Sequence, residues 1–115
     1  MRRGEIWLVD LEPTRGSEAN KLRPAVLVSN DGANSRATQL GRGVLTVVPL
    51  TTNTARILPF QTFIEATESG LNFDSKAQAE QVRSVDVVWF GTQVGALTLG
   101  TMFELDEALR VHLSL

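Results

Sequence analysis

Residues 18–30 read EANKLRPAVLVSN. The stretch begins charged and ends apolar. Lys21 and Arg23 belong to a polar loop that Pro24 closes. Residues 25–28 are apolar and rich in β-branched side chains, the composition of a buried strand. A cation is thereby fixed at the mouth of a rigid element, where a binding or reacting group gains most from preorganisation. Arg23 reads as the functional centre, with the rest of the chain placing partners around it.

Upstream, residues 4–11 (GEIWLVDL) form the first expected strand. Both alternating sets are partly apolar, as where two faces are covered. The connection EPTRGSEANKLR is long for a compact domain, and such loops are often functional. A plain hairpin tip fits its composition equally well. Downstream, residues 25–29 are the second strand. NDGANSRATQLGRG is rich in turn residues; Asn30 or Asp31 can cap a short helical turn there, and Gly41 and Gly43 suit a tight turn. Residues 44–50 (VLTVVPL) are the third strand. Pro49 offers no ladder donor, so this strand is expected to be bulged, at an edge or ending there. The hydroxyl run at 51–54 can donate to phosphate or bases or cap the turn; the sequence alone favours capping.

Residues 61–66 form a fourth strand, and the chain reverses around Gly70. SKAQAEQVR (75–83) has helical propensity but alternates with period two, which favours a strand. VGALTL (94–99) is a short last strand. The C-terminal helix is the clearest element. Thr101 and Glu104 have capping-box spacing, and Met102, Leu105, Ala108, Leu109, His112 and Leu113 share one face. Several short strands and one terminal helix, without strand–helix alternation, exclude a βαβ sheet. The expected fold is mainly β (α+β), a small barrel or strongly bent antiparallel sheet with helices packed outside. No repeat or linker divides residues 1–115.

The 115-residue chain is 43% apolar and 21% charged, and it lacks Cys and Tyr. Disulfide and thiolate chemistry are excluded, and a reducing cytoplasm suits the chain. No apolar run approaches the roughly 18 residues of a membrane span. Glu5 and Asp10 interrupt what would otherwise resemble a signal peptide after Arg2 and Arg3. A cytoplasmic, membrane-free protein is expected. The net charge of −2 argues against a broadly basic nucleic-acid binder. The cations are nonetheless uneven: Arg2, Arg3, Arg15, Lys21 and Arg23 all precede residue 24.

Much chemistry can be set aside. One His and no Cys cannot supply an ordinary zinc site. A Ser–His–Asp triad would rest wholly on His112, which falls on the packed face of the last helix. RGSEANK lacks the GKS or GKT ending of a phosphate loop, and the acids are scattered. What survives is the loop carrying Arg15, Ser17, Glu18, Lys21 and Arg23, the pair Thr51 and Thr52, and the trio Gln81, Arg83 and Ser84. Arginine forks fit phosphate, hydroxyls add donors, and glutamine can read base edges. The pattern suits metal-free binding of a phosphodiester, and equally ordinary surface polarity.

At these residues the chain resembles the MazF/PemK family of toxin endoribonucleases. RRGEIWLVDLEPTRGSE, K-x-RPAVLVSN, VVPLTT and AEQVRSV match in order and spacing, and ELDEAL in the last helix is also similar. Residues 86–100 depart from the family pattern. The resemblance implies an SH3-like, CcdB/PemK-like barrel with a C-terminal helix, and a homodimer. It implies a type II toxin without cofactor that cleaves single-stranded RNA at short sequences, independently of ribosomes and metal. It also implies a cognate MazE-like antitoxin whose acidic or extended tail covers the RNA groove. By position, Arg23 and Thr51 take the catalytic roles, and Glu18 is a candidate helper. Ser17, Lys21, Thr52, Gln81, Arg83 and Ser84 are expected to contact RNA. The expected reaction uses the ribose 2′-OH as nucleophile and leaves 2′,3′-cyclic phosphate and 5′-OH ends. Arginine is a poor general base. Two other readings are a CcdB-type gyrase inhibitor, which needs no Arg–Thr site, and a degenerate member that only binds RNA or antitoxin.

Overall fold

The structure, a computed structural model, describes residues 1–12 and 21–115. Strand β1 (Glu5–Asp10) pairs antiparallel with β2 (Leu22–Leu27), and β2 pairs with β3 (Val44–Thr51). Beyond β3 the order continues to β5 (Ser75–Gln78) and β4 (Gln61–Ile64). On the other side of β1 lies β7 (Phe90–Ala96), and β6 (Arg83–Asp86) pairs with the first half of β3. Among the described residues three α-helices accompany the sheet: α1 (Asp31–Leu40), α2 (Ala66–Ser69) and α3 (Leu99–Leu113). The expected bent antiparallel sheet with a C-terminal helix is present.

The sheet buries both faces, which explains why β1 and β2 look apolar throughout. Val26, Val48, Leu50, Ile64 and Leu105 pack on one side. Val9, Ala25, Leu27, Leu45, Val47 and Val85 pack on the other. Strand β7 and helix α2, which follows β4, meet through close backbone packing. A Cβ built on Gly95 of β7 would collide with the carbonyl oxygen of Ser69 in α2, and Gly70 approaches the same place. Glycine is required there because only hydrogen fits.

Several expectations change. The turn-rich segment after β2 contains a ten-residue helix, α1. Asn30 Oδ1 accepts from Ala33 N at 2.8 Å, and Gly41 closes the helix in the left-handed conformation. Only Asn34 and Ala37 are buried on it, so no apolar stripe announces it. Residues 75–83 are not one strand: β5 ends at Gln78, Ala79–Gln81 is a 3-10 turn, and β6 starts at Arg83. The last strand begins at Phe90, four residues earlier than its apolar run. Helix α3 is capped by Thr98, whose hydroxyl accepts from Thr101 N at 3.1 Å. The cap logic holds but starts three residues upstream. His112 and Leu113 are exposed; the buried face ends with Leu105 and Ala108. Pro49 does not end β3. It falls where the β6 ladder has stopped at Val47 and the β5 ladder has yet to begin at Leu50, so that edge needs no donor from it.

Candidate active site

The site grows from a fork in the sheet. β3 pairs with β2 through Pro49, opposite Ala25, and then with β5 from Leu50 onward. β2 continues with β1 alone, Pro24 opposite Leu8 and Arg23 opposite Val9. Arg23 is therefore a strand residue and not part of a preceding loop. The ladder fixes its backbone while its side chain is exposed. Its Nη1 makes one long bond, 3.5 Å, to the carbonyl of Leu22.

A cleft of about 460 Å³ occupies the fork. Arg23 and Lys21 line it from the β2 prong, and Thr51 and Gln78 from the β3–β5 prong. Asp10 and Glu12 line it from the end of β1. Asp10 Oδ1 accepts from Glu12 N at 3.0 Å, an Asx turn that aims the chain out of the strand. Thr51 Oγ1 accepts from Asn53 N at 3.2 Å. The hydroxyl does cap its turn, as its sequence context suggests. A hydroxyl has one hydrogen and two lone pairs, so capping leaves its hydrogen for a substrate oxygen. The two readings of this hydroxyl are compatible.

Of the nine residues to which the resemblance gives a role, the fork gathers Lys21, Arg23 and Thr51. Thr52 faces a second cleft next to the first, lined also by Leu8 and Pro24. Gln81 is exposed on the 3-10 turn after β5, and Gln78, three residues earlier, is the glutamine that lines the fork. Arg83 stands opposite Val47 and Ser84 opposite Thr46 on β6. Arg83 is thus four residues along β3 from Thr51, roughly 13 Å away at strand spacing, and neither Arg83 nor Ser84 lines the cleft. Ser17 and Glu18 lie outside the described residues.

Sequence reasoning missed Asp10, Glu12, Gln78 and Lys76. Asp10 had a signal: it ends the alternation of β1, next to the loop that holds the cations. Lys76 is 9% exposed and stands opposite Thr51 in the β3–β5 ladder. Nothing local marks it as buried. Among the described residues no group of three His, Asp or Glu could hold a metal ion.

Residues 2–113 match the family model for a PemK-like, MazF-like toxin of type II toxin–antitoxin systems. The chain is 57% identical over 115 residues to the Mycobacterium tuberculosis endoribonuclease MazF9, covering 100% of this chain and 98% of that protein. It is 32% identical over 115 residues to the endoribonuclease MazF of Staphylococcus epidermidis, covering 100% and 92%. The fold matches the M. tuberculosis toxin MazF-mt6 with a TM-score of 0.77 at 24% identity, covering 96% of this chain and 97% of that one. It also matches a mycobacterial endoribonuclease in complex with its cognate antitoxin, TM-score 0.79 at 23% identity, covering 100% and 96%. With its motifs and architecture in agreement, the chain belongs to the PemK-like, MazF-like family of type II toxins.

Proposed function

We propose that this protein is a toxin that cleaves single-stranded RNA at a short sequence, acting in the cytoplasm as a homodimer restrained by a cognate antitoxin. One observation carries the reading: Arg23 and Thr51, from two strands that part at the fork, line a single cleft. A gyrase inhibitor acting through its C-terminus has no use for that convergence. Lys21 beside Arg23 also suits an acidic antitoxin segment laid over the same groove.

The reaction needs only protein groups on this reading. The ribose 2′-oxygen attacks phosphorus, the P–O5′ bond breaks, and a 2′,3′-cyclic phosphate and a 5′-OH remain. Charge builds on the non-bridging oxygens. The Arg23 fork and the Thr51 hydroxyl are donors for them, and one such donor contributes about 2.7–4 kcal/mol in other enzymes. Arg23 is also the group that can protonate the departing 5′-oxygen. The 2′-OH proton goes to a carboxylate: Asp10 and Glu12 border the cleft, and Glu18, outside the described residues, is the third candidate by its place in the sequence. Bases splayed from a single strand give sequence readout that a duplex denies.

Incubation of purified protein with a mixed-sequence RNA in EDTA, followed by mapping of 5′ ends, tests the proposal. Cuts at one short sequence that disappear with Arg23→Ala support it. Intact RNA with the folded wild type, or unchanged cutting by folded Arg23→Ala, overturns it.

A further inference from the structure

A second cleft, of about 440 Å³, opens beside the fork. Its walls are Leu8, Pro24, Leu71 and Val94, with Thr52 and Asn72 adding polar groups. Pro24 and Thr52 directly follow Arg23 and Thr51, so each prong of the fork serves one cleft with one residue and the second cleft with the next. The two clefts therefore adjoin along the same pair of chain ends.

Phe73 stands at the rim of this second cleft and is 70% exposed. Its backbone is firmly held. Ser75 Oγ donates to the Phe73 carbonyl at 3.1 Å, and Ser75 is buried. Asp74 Oδ1 accepts from Ala66 N at 2.9 Å, and Leu71 N donates to Ser69 Oγ at 3.3 Å. Gly70 turns the chain at φ 86°. A large aromatic side chain left in water on a braced loop has no role in the core. Neither Asn72 nor Thr52 makes a side-chain hydrogen bond among the described residues.

We propose that this cleft is a nucleobase subsite for the RNA, taking one base next to the scissile phosphate. The base lies against Phe73 and the Leu8–Pro24–Leu71 wall, and Asn72 and Thr52 meet its edge. The inference rests on the endoribonuclease reading. Its chemical basis is the pairing of a flat aromatic and apolar wall with uncommitted donors and acceptors. Aromatic side chains stack on any base, and amide or hydroxyl groups at the rim discriminate among them. Continuity with the fork selects RNA over other occupants: a strand whose phosphate meets Arg23 reaches this cleft past Pro24 or Thr52.

Cleavage is measured on the mapped target RNA and on copies carrying a single abasic residue at each position flanking the cut. Wild type is compared with Phe73→Ala and Phe73→Trp. At one position the abasic RNA is cut about tenfold more slowly by wild type. Phe73→Ala cuts intact RNA about tenfold more slowly as well, but loses nothing further on that abasic RNA, and Phe73→Trp restores the rate. Phe73→Ala that slows all RNAs alike, or none, overturns the subsite. Unchanged cleavage with weakened antitoxin binding also overturns it, and assigns the cleft to the antitoxin. Wild type that cuts no RNA overturns the proposed function itself.

Discussion

Lys76 and Thr51 face each other across the β3–β5 ladder, and Lys76 Nζ donates to the Arg56 carbonyl at 2.7 Å. The chain leaving the candidate reactive threonine is thus tied down by the residue opposite it. A buried ammonium held by one carbonyl is costly to place and more costly to mismatch. Lys76→Met keeps most of the stem but leaves that carbonyl without its donor. Stability is expected to fall by about 1.5–3 kcal/mol, the range for a hydrogen bond to a charged group. Urea denaturation reads it, and a midpoint equal to wild type would remove Lys76 from the bracing of this loop.

Arg23 is exposed at the end of a paired strand, so its replacement spares the core. Arg23→Ala is expected to lose at least a hundredfold in RNA cleavage with an unchanged circular dichroism spectrum. Arg23→Lys should recover little, because an ammonium cannot present the planar fork. Thr51→Ser keeps the hydroxyl and should stay within tenfold of wild type. Thr51→Val loses both the turn acceptor and the donor, and a drop of about 10²–10³-fold is expected. Equal rates for Ser and Val would show that the hydroxyl does not act.

Strands β1 to β4, the terminal helix and the convergence of Arg23 and Thr51 on one cleft were legible because each left a local trace. β-branched runs marked β2 and β3, a threonine with acidic neighbours marked the start of α3, and motif order joined residues 23 and 51. Helix α1 was hidden because its buried face is Asn34 and Ala37. Asn34 is held by polar bonds, accepting from Ser29 Oγ at 2.6 Å and donating to the Ser29 carbonyl at 2.9 Å, and such bonds leave no apolar period. Arg83 and Ser84 looked like site residues because their segment follows Gln81. The 3-10 turn ending at Gln81 sends them onto β6, away from the fork. Lys76 and Gln78 depend on a ladder between residues 25 positions apart, which periodicity does not contain.

The carboxylate that takes the 2′-OH proton can be separated by amide substitutions. Asp10→Asn retains the oxygen that accepts from Glu12 N, so the turn persists and only the charge is lost. Glu12→Gln and Glu18→Gln complete the set. One of the three is expected to lower kcat by about 10²–10⁴-fold, the usual contribution of general-base catalysis, with the other two within tenfold. Single-turnover cleavage of a short fluorescent RNA measures this. Three small, equal effects would mean that no carboxylate here serves as the base.

The Arg3 guanidinium ties the N-terminus to the last helix. It contacts both oxygens of Asp106, at 2.6 and 3.3 Å, while its Nε donates to the Val28 carbonyl at 2.7 Å. Both side chains are about one-third exposed, so the charge pair itself is weak. The geometry is nonetheless that of a fork with a third bond, and it joins three segments remote in sequence. Arg3→Ala is expected to cost about 1–2 kcal/mol, and Asp106→Asn, which keeps an acceptor, less than half of that. Because neither residue lines the fork, RNA cleavage per folded molecule should not change. A large loss of cleavage at full stability would contradict that separation of scaffold from site.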